Sequence, residues 1–254
     1  MLKSIKTRRP VIVDYGSGNI RSAVKAFEYV LGEEVISTNK PLDLDNASHI
    51  ILPGVGSFAD CKNGLLAFPG LVDGLLEHVV EKQKPFLGIC VGMQLMATLG
   101  LENGNTKGFD WIKGQVVKIK SNGMELKIPH MGWNELIFHE KSHPVLAGFK
   151  DFQHAYFVHS YCFEAADSKE VLASVAYGDL ITAIVGRDNI IGTQFHPEKS
   201  QRFGVEFIKN FLKWEGGLPS RPLALKKASA LRVSWWVPVR VLPLSVNLLM
   251  WRSI

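Results

Sequence analysis

Cys90 sits in the run Gly88-Ile89-Cys90-Val91-Gly92, after Pro85-Phe86-Leu87 and before Met93-Gln94-Leu95-Met96-Ala97. Glycines two positions either side of a nucleophile permit a sharp strand-to-helix turn that pushes its side chain to the tip, as in Gly-x-Ser-x-Gly sequences. A cysteine at that tip gains from the N-terminus of the following helix, whose unpaired amides and dipole favour a thiolate. The amide of Val91 can point at a developing oxyanion. An isolated cysteine is more often an inert core residue, and it is the elbow context that makes Cys90 a candidate nucleophile.

A cysteine nucleophile needs a base and a group that orients the base. Thr193-Gln194-Phe195-His196-Pro197-Glu198 offers both, because side chains two apart in an extended segment share a face, so Glu198 can hold the His196 imidazole. His-x-Glu alone is a weak signal, and chain order does not bring it to Cys90; the fold must. Ile50-Ile51-Leu52-Pro53-Gly54-Val55-Gly56 reads as a strand ending in a turn that could present backbone amides to an anion, although from these residues alone a plain turn is the better reading. His139-Glu140-Lys141-Ser142-His143 matches the zinc-protease signature, which requires a helix to converge its two histidines. Pro144 disfavours helical geometry at His143 and the preceding Glu135 to Phe138 reads as a strand, so no metal site is expected there. Gly16-Ser17-Gly18-Asn19 has Arg21 where a dinucleotide fingerprint places its third glycine, and reads as a turn and helix cap.

The elements that must position these residues follow from periodicity. Strands Val11 to Val13, Val35 to Ser37, Ile50 to Leu52 and Pro85 to Ile89 alternate with helical stretches Ile20 to Leu31, Leu65 to Lys82 and Val91 to Leu99. Asn19 is placed to cap the first helix, Ala23, Phe27 and Val30 to form its apolar stripe, and Gly32 to end it. That alternation implies βαβ units and a parallel sheet. After about Gly114 strands are separated by turns: Val116 to Ile119, Glu135 to Phe138, Tyr156 to Val158, Val171 to Ala176, Ile181 to Val185 and Ile190 to Gln194, an antiparallel or mixed half. A helix from Arg202 to Trp214 closes the body. The expected fold class is α/β, with an open, mostly parallel central sheet flanked by helices and additional mixed or antiparallel strands.

The 254 residues are 46% apolar, enough for a substantial core. Net charge is +5, but six basic residues and no acid lie between Gly216 and Ile254, leaving 23 basic against 24 acidic in the rest. The body therefore carries no electrostatic case for nucleic-acid binding. Cys61, Cys90 and Cys162 form neither a disulfide framework nor a zinc pattern, and a reducing, cytoplasmic setting fits. Lys3, Lys6, Arg8 and Arg9 make residues 1–9 a basic extension with no signal-peptide apolar region after it. Residues 10–215 form the expected domain. Residues 216–254, with four prolines and three of the six tryptophans, read as a disordered extension; Pro238, Arg240, Pro243 and Asn247 interrupt the apolar Val233 to Trp251, so membrane insertion is not expected. The tail is expected to be dispensable for chemistry.

Taken together, the motifs resemble the class I (triad) glutamine amidotransferases over residues 10 to 214. The resemblance rests on Tyr15-Gly16-Ser17-Gly18-Asn19, Pro53-Gly54-Val55-Gly56-Ser57-Phe58, Gly88 to Gln94, Pro129-His130-Met131-Gly132-Trp133-Asn134 and Gln194 to Ser200. Within that family these stretches look like the branch whose glutaminases feed a (β/α)₈-barrel cyclase making imidazole glycerol phosphate in histidine biosynthesis. The resemblance implies glutamine as substrate, a heterodimer with the cyclase, and no cofactor or metal. It implies Cys90, His196 and Glu198 as the triad, and the Val55 and Val91 amides as the oxyanion hole. Gly54, Gln94, Glu102, Ser160 and Tyr161 would hold the glutamine. The tail after Trp214 and the first nine residues have no counterpart in the family pattern. A paralogous glutaminase serving amidation of a surface-sugar precursor shares nearly all these motifs. A partner-binding module on an inactive fold is disfavoured because all three triad residues are present.

Overall fold

The computed structural model describes residues 7–16, 19–121 and 125–217. The chain divides into two units, 1–220 and 221–254, and every described residue belongs to the first. The readings made for the tail and for Ser17 and Gly18 lie outside the described residues.

Among the described residues a nine-stranded sheet runs in the order β2 (Ile36–Thr38), β1 (Pro10–Val13), β3 (His49–Gly54), β4 (Phe86–Cys90), β13 (Ile190–Thr193), β12 (Asp179–Arg187), β11 (Val171–Tyr177), β8 (His130–Phe138), β9 (Gln153–His159). The first five strands are mutually parallel and the remainder antiparallel, so the change of pattern expected near Gly114 is real. The late strand β13 returns to the parallel half, between β4 and β12. This places the segment after Thr193 beside the end of β4, and with it His196 beside Cys90. β1, β3, β4 and β13 are buried along their whole length, as strands covered on both faces are. A smaller sheet orders β10 (Tyr161–Ala165), β7 (Gly114–Lys118), β5 (Leu99–Gly100) and β6 (Thr106–Lys107). β9 ends in the large sheet and β10 begins in the small one, with Ser160 at the corner between them.

Helix α1 (Ile20–Leu31) buries Ala23, Phe27 and Leu31 at a spacing of four, with Val30 half-buried, and ends as expected at Gly32 (φ +74°), whose N–H reaches the Glu28 carbonyl. Asn19 occupies the cap position without a side-chain bond. α5 (Gln201–Lys213) buries Phe203, Phe207, Ile208, Phe211 and Leu212 and meets α1 through an edge-to-face Phe27–Phe211 contact at 6.4 Å.

Two expected helices differ. The stretch from Leu65 to Lys82 is broken: α2 (Phe58–Leu66) begins earlier, Phe68-Pro69-Gly70 interrupts, α3 (Leu71–Leu75) follows, and Leu76–Glu81 winds as a π-helix. Pro69 disfavours helix at Phe68, and Gly70 is left-handed at φ +76°. The stretch from Val91 to Leu99 holds only the one-turn α4 (Val91–Gln94). The carbonyls of Leu95, Met96 and Ala97 instead accept from Phe109, Trp111 and Asp110, so this fully buried segment is apolar because it is enclosed, not because it is helical. No helix of the described residues is long and apolar enough to cross a membrane.

Candidate active site

Cys90 is the last residue of β4 and stands opposite Gly54, the last residue of β3. Its φ of +54° and ψ of −112° are sparsely populated for a non-glycine residue and cost about 1–3 kcal/mol. The strain of the elbow is thus carried by the cysteine itself. Gly92, and Gly54 across on β3, serve close packing: a Cβ on Gly92 would lie 1.8 Å from the Leu52 carbonyl oxygen, and one on Gly54 2.7 Å from the Gly92 nitrogen. Any side chain there would push β3 away from the turn.

His196 follows β13 in extended backbone, its N–H bonded to the Tyr156 carbonyl at 3.0 Å. Glu198 lies in a 3₁₀ turn (Pro197–Lys199), not on the extended segment expected from the sequence. The turn still returns the carboxylate to the ring: Nδ1 of His196 and Oε1 of Glu198 are 2.7 Å apart, with the side chains 2% and 4% exposed. Nε2 of His196 is buried and lies outside strict hydrogen-bond geometry with any partner, yet Cys90 is close enough to act on the ring's proton affinity. Burial alone would lower that affinity. The Cys90 thiol and the Glu198 carboxylate outweigh it and raise the His196 pKa to about 10.

A cavity of about 260 Å³ opens at this point, lined by Val55, Cys90, Val91, Gln94, Glu102, Ser160, Tyr161 and His196 among the residues expected from the sequence. Gly54 is not on its wall but pairs with Cys90 across β3 and β4, and Glu198 stands behind His196. Gln94 is 3% exposed and commits its amide N–H groups to the Tyr161 carbonyl and to Gln194 Oε1, both at 3.0 Å, which leaves its own oxygen to accept from a ligand. Glu102 Oε2 accepts from the Phe58 amide at 2.7 Å, so it also closes the first turn of α2 after the glycine loop. Within that loop the Val55 carbonyl accepts from the Cys61 thiol at 3.6 Å. A larger groove of about 440 Å³ between α1 and α5 reaches Glu198 but none of the other candidate residues, so the smaller cavity is the one with chemistry.

Sequence reasoning missed Gln194, whose Nε2 lies 3.6 Å from Cys90 Sγ, and His159, Val158 and Pro129 on the cavity wall. Gln194 stood inside a motif already noted, two residues from His196; His159 adjoins Ser160, but nothing in its own spacing marked it. The His139 to His143 motif is not helical: His139 Nε2 pairs with Ser174 Oγ at 2.9 Å, and His143 accepts from the Val145 amide ahead of a short 3₁₀ turn.

The model of the family "Glutamine amidotransferase class-I" matches residues 11–214. The chain belongs to the class I glutamine amidotransferases. Proteins called imidazole glycerol phosphate synthase subunit HisH match it at 51% identity in Cereibacter sphaeroides and 52% in Brucella melitensis, covering 81% and 82% of this chain and 98% and 99% of those relatives. The same-named protein of Rhodospirillum rubrum is 49% identical over 81% of this chain and 99% of its own. Among solved structures, a glutamine amidotransferase shares the fold at TM-score 0.59 and 21% identity, covering 78% of this chain and 98% of that one. A glutamine amidotransferase from Thermotoga maritima does so at TM-score 0.55 and 15% identity, over 81% and 96%.

Proposed function

We propose that this amidotransferase is the glutaminase subunit of an imidazole glycerol phosphate synthase, acting in the cytoplasm and docked on a (β/α)₈-barrel cyclase. The observation that carries the chemistry is the strained Cys90 beside a buried His196–Glu198 pair at the mouth of one cavity. The thiolate of Cys90 attacks the side-chain amide carbon of glutamine, and the Val55 and Val91 amides receive the oxyanion. His196, protonated and oriented by Glu198, gives its Nε2 proton to the departing ammonia, leaving a γ-glutamyl thioester. The neutral ring then takes a proton from water as it attacks the thioester; collapse expels the thiolate, the new carboxyl group gives its remaining proton to solvent, and glutamate leaves with His196 again protonated. Gln94, Glu102, Ser160 and Tyr161 hold the amino acid while the ammonia passes to the cyclase. The level of identity to the HisH relatives, over nearly their whole length, supports the histidine pathway as the destination.

The test is glutamate release by the full chain alone, with a candidate cyclase, and with cyclase plus its ribulosyl nucleotide. Slow hydrolysis by the isolated chain and acceleration of about a hundredfold or more in the complete mixture are expected, the size of one oxyanion donor brought into place. Full activity without the cyclase, or none with it, contradicts this reading.

A further inference from the structure

His130 and His159 take part in no step described above. The β8–β9 register sets them directly opposite one another, both are buried, and His130 stacks on both Tyr177 and Phe157, at centroid distances of 4.0 and 4.8 Å. The direction of each hydrogen bond follows from its ends. The Asn134 side-chain oxygen accepts from the Glu135 amide at 2.8 Å, so its nitrogen donates, to the Ala176 carbonyl at 3.0 Å and to His130 Nε2 at 3.2 Å. His130 Nε2 is therefore the acceptor, and the ring's proton is on Nδ1, 3.1 Å from His159 Nε2. That nitrogen accepts in turn, and His159 Nδ1–H donates to the Tyr161 carbonyl at 2.8 Å. The same carbonyl receives Gln94 Nε2 at 3.0 Å. A backbone N–H begins this chain and a backbone carbonyl ends it, and neither can exchange roles, so the chain has a single polarity.

We infer that Asn134 and His130 are positioning residues for glutamine binding, which through a neutral, Nδ1-protonated His159 hold the Tyr161 carbonyl, the Ser160 corner and the Gln94 side chain in the binding arrangement. The inference rests on the glutaminase reading above. It also explains why His159, on the cavity wall, does not compete with His196 as acid or base: both its nitrogens are committed, and a charge on either ring would set N–H against N–H. Burial acts in the same direction, holding His130 at about 4; His159 is held at about 3, where burial, with some help from His130 and His196, outweighs the Tyr161 carbonyl.

The decisive variant is Asn134→Asp, which keeps the shape and still accepts from the Glu135 amide but cannot donate to His130, so the chain must reverse or charge. In the full chain with its cyclase and nucleotide, glutamine KM is expected to rise about tenfold while kcat stays within about twofold. His130→Phe, which keeps the aromatic stack and removes both nitrogens, is expected to raise KM in the same way. Imidazole nitrogen NMR of the wild-type chain, which needs no variant to fold, should show both rings neutral and protonated on Nδ1 at pH 7. An unchanged KM in a folded Asn134→Asp protein, or a wild-type ring protonated on Nε2, overturns the inference. Wild-type chain with the expected tautomers but no glutamine turnover refutes the glutaminase reading instead and leaves the polarity of the chain established.

Discussion

Cys90→Ala is expected to remove glutamine-dependent synthesis, by on the order of 10⁴-fold or more, while leaving synthesis from added ammonium salts at the wild-type rate. The split follows from where the sulfur sits. Cys90 faces the cavity and His196, whereas Cys61 is wholly buried beneath the Val55 loop, and Cys162 lies within β10 with its pKa pushed up to about 11 by burial. Neither can replace the missing nucleophile. The substitution removes one atom from the end of β4 and keeps the neighbouring contacts of Gly54 and Gly92, so docking to the cyclase should survive. The measurement is a pair of product assays on one purified complex, with glutamine and with ammonium as the nitrogen source. Near wild-type use of glutamine by the variant would dismiss Cys90 as nucleophile; loss of both activities would mean the variant had damaged the complex.

Glu198→Gln should reduce kcat for glutamine by on the order of 10²–10⁴-fold and move the alkaline edge of the pH profile to lower pH. Wild-type His196 has its pKa raised to about 10, with the Glu198 carboxylate among the groups that outweigh burial, so the ring keeps its proton through the neutral range. The amide preserves the shape of the 2.7 Å contact but not its charge, so the His196 pKa falls, with Cys90 left to oppose burial without the carboxylate. The sign for stability is the same. A folded-state pKa raised above the ordinary 6.5 contributes stability fully present below about pH 6.5 and lost as pH rises through about 10. The variant should lose that contribution over a lower and narrower interval. Rate and melting temperature followed from pH 6 to 10 check both; an unshifted alkaline edge would show that Glu198 does not govern the protonation of His196.

The residues of the site were more legible in the sequence than the reasons for their geometry. The glycines around Cys90 announced an elbow, but Gly92 is needed because the Leu52 carbonyl lies where its Cβ would be, a contact between strands that no local spacing reveals. His-x-Glu announced a pair, yet the pair is closed by a 3₁₀ turn and not by strand alternation. The approach of His196 to Cys90 depends on β13 inserting beside β4, a pairing across about a hundred residues that periodicity cannot supply. Leu95 to Ala97 read as helix because enclosure and amphipathicity both produce apolar runs over short lengths. His130 stood inside a recognised motif and His159 beside a recognised residue, but their cross-strand meeting appears only once the β8–β9 register is known.

The central claim is that glutamine is cleaved through a covalent bond to Cys90. Rapid-quench mass spectrometry of the full chain with its cyclase, nucleotide and glutamine tests it directly. A γ-glutamyl thioester on the peptide carrying Cys90, forming and decaying at rates that match turnover, is the predicted result. Steady glutamate production with Cys90 unmodified throughout, or an adduct placed on Cys61 or Cys162, would contradict the account.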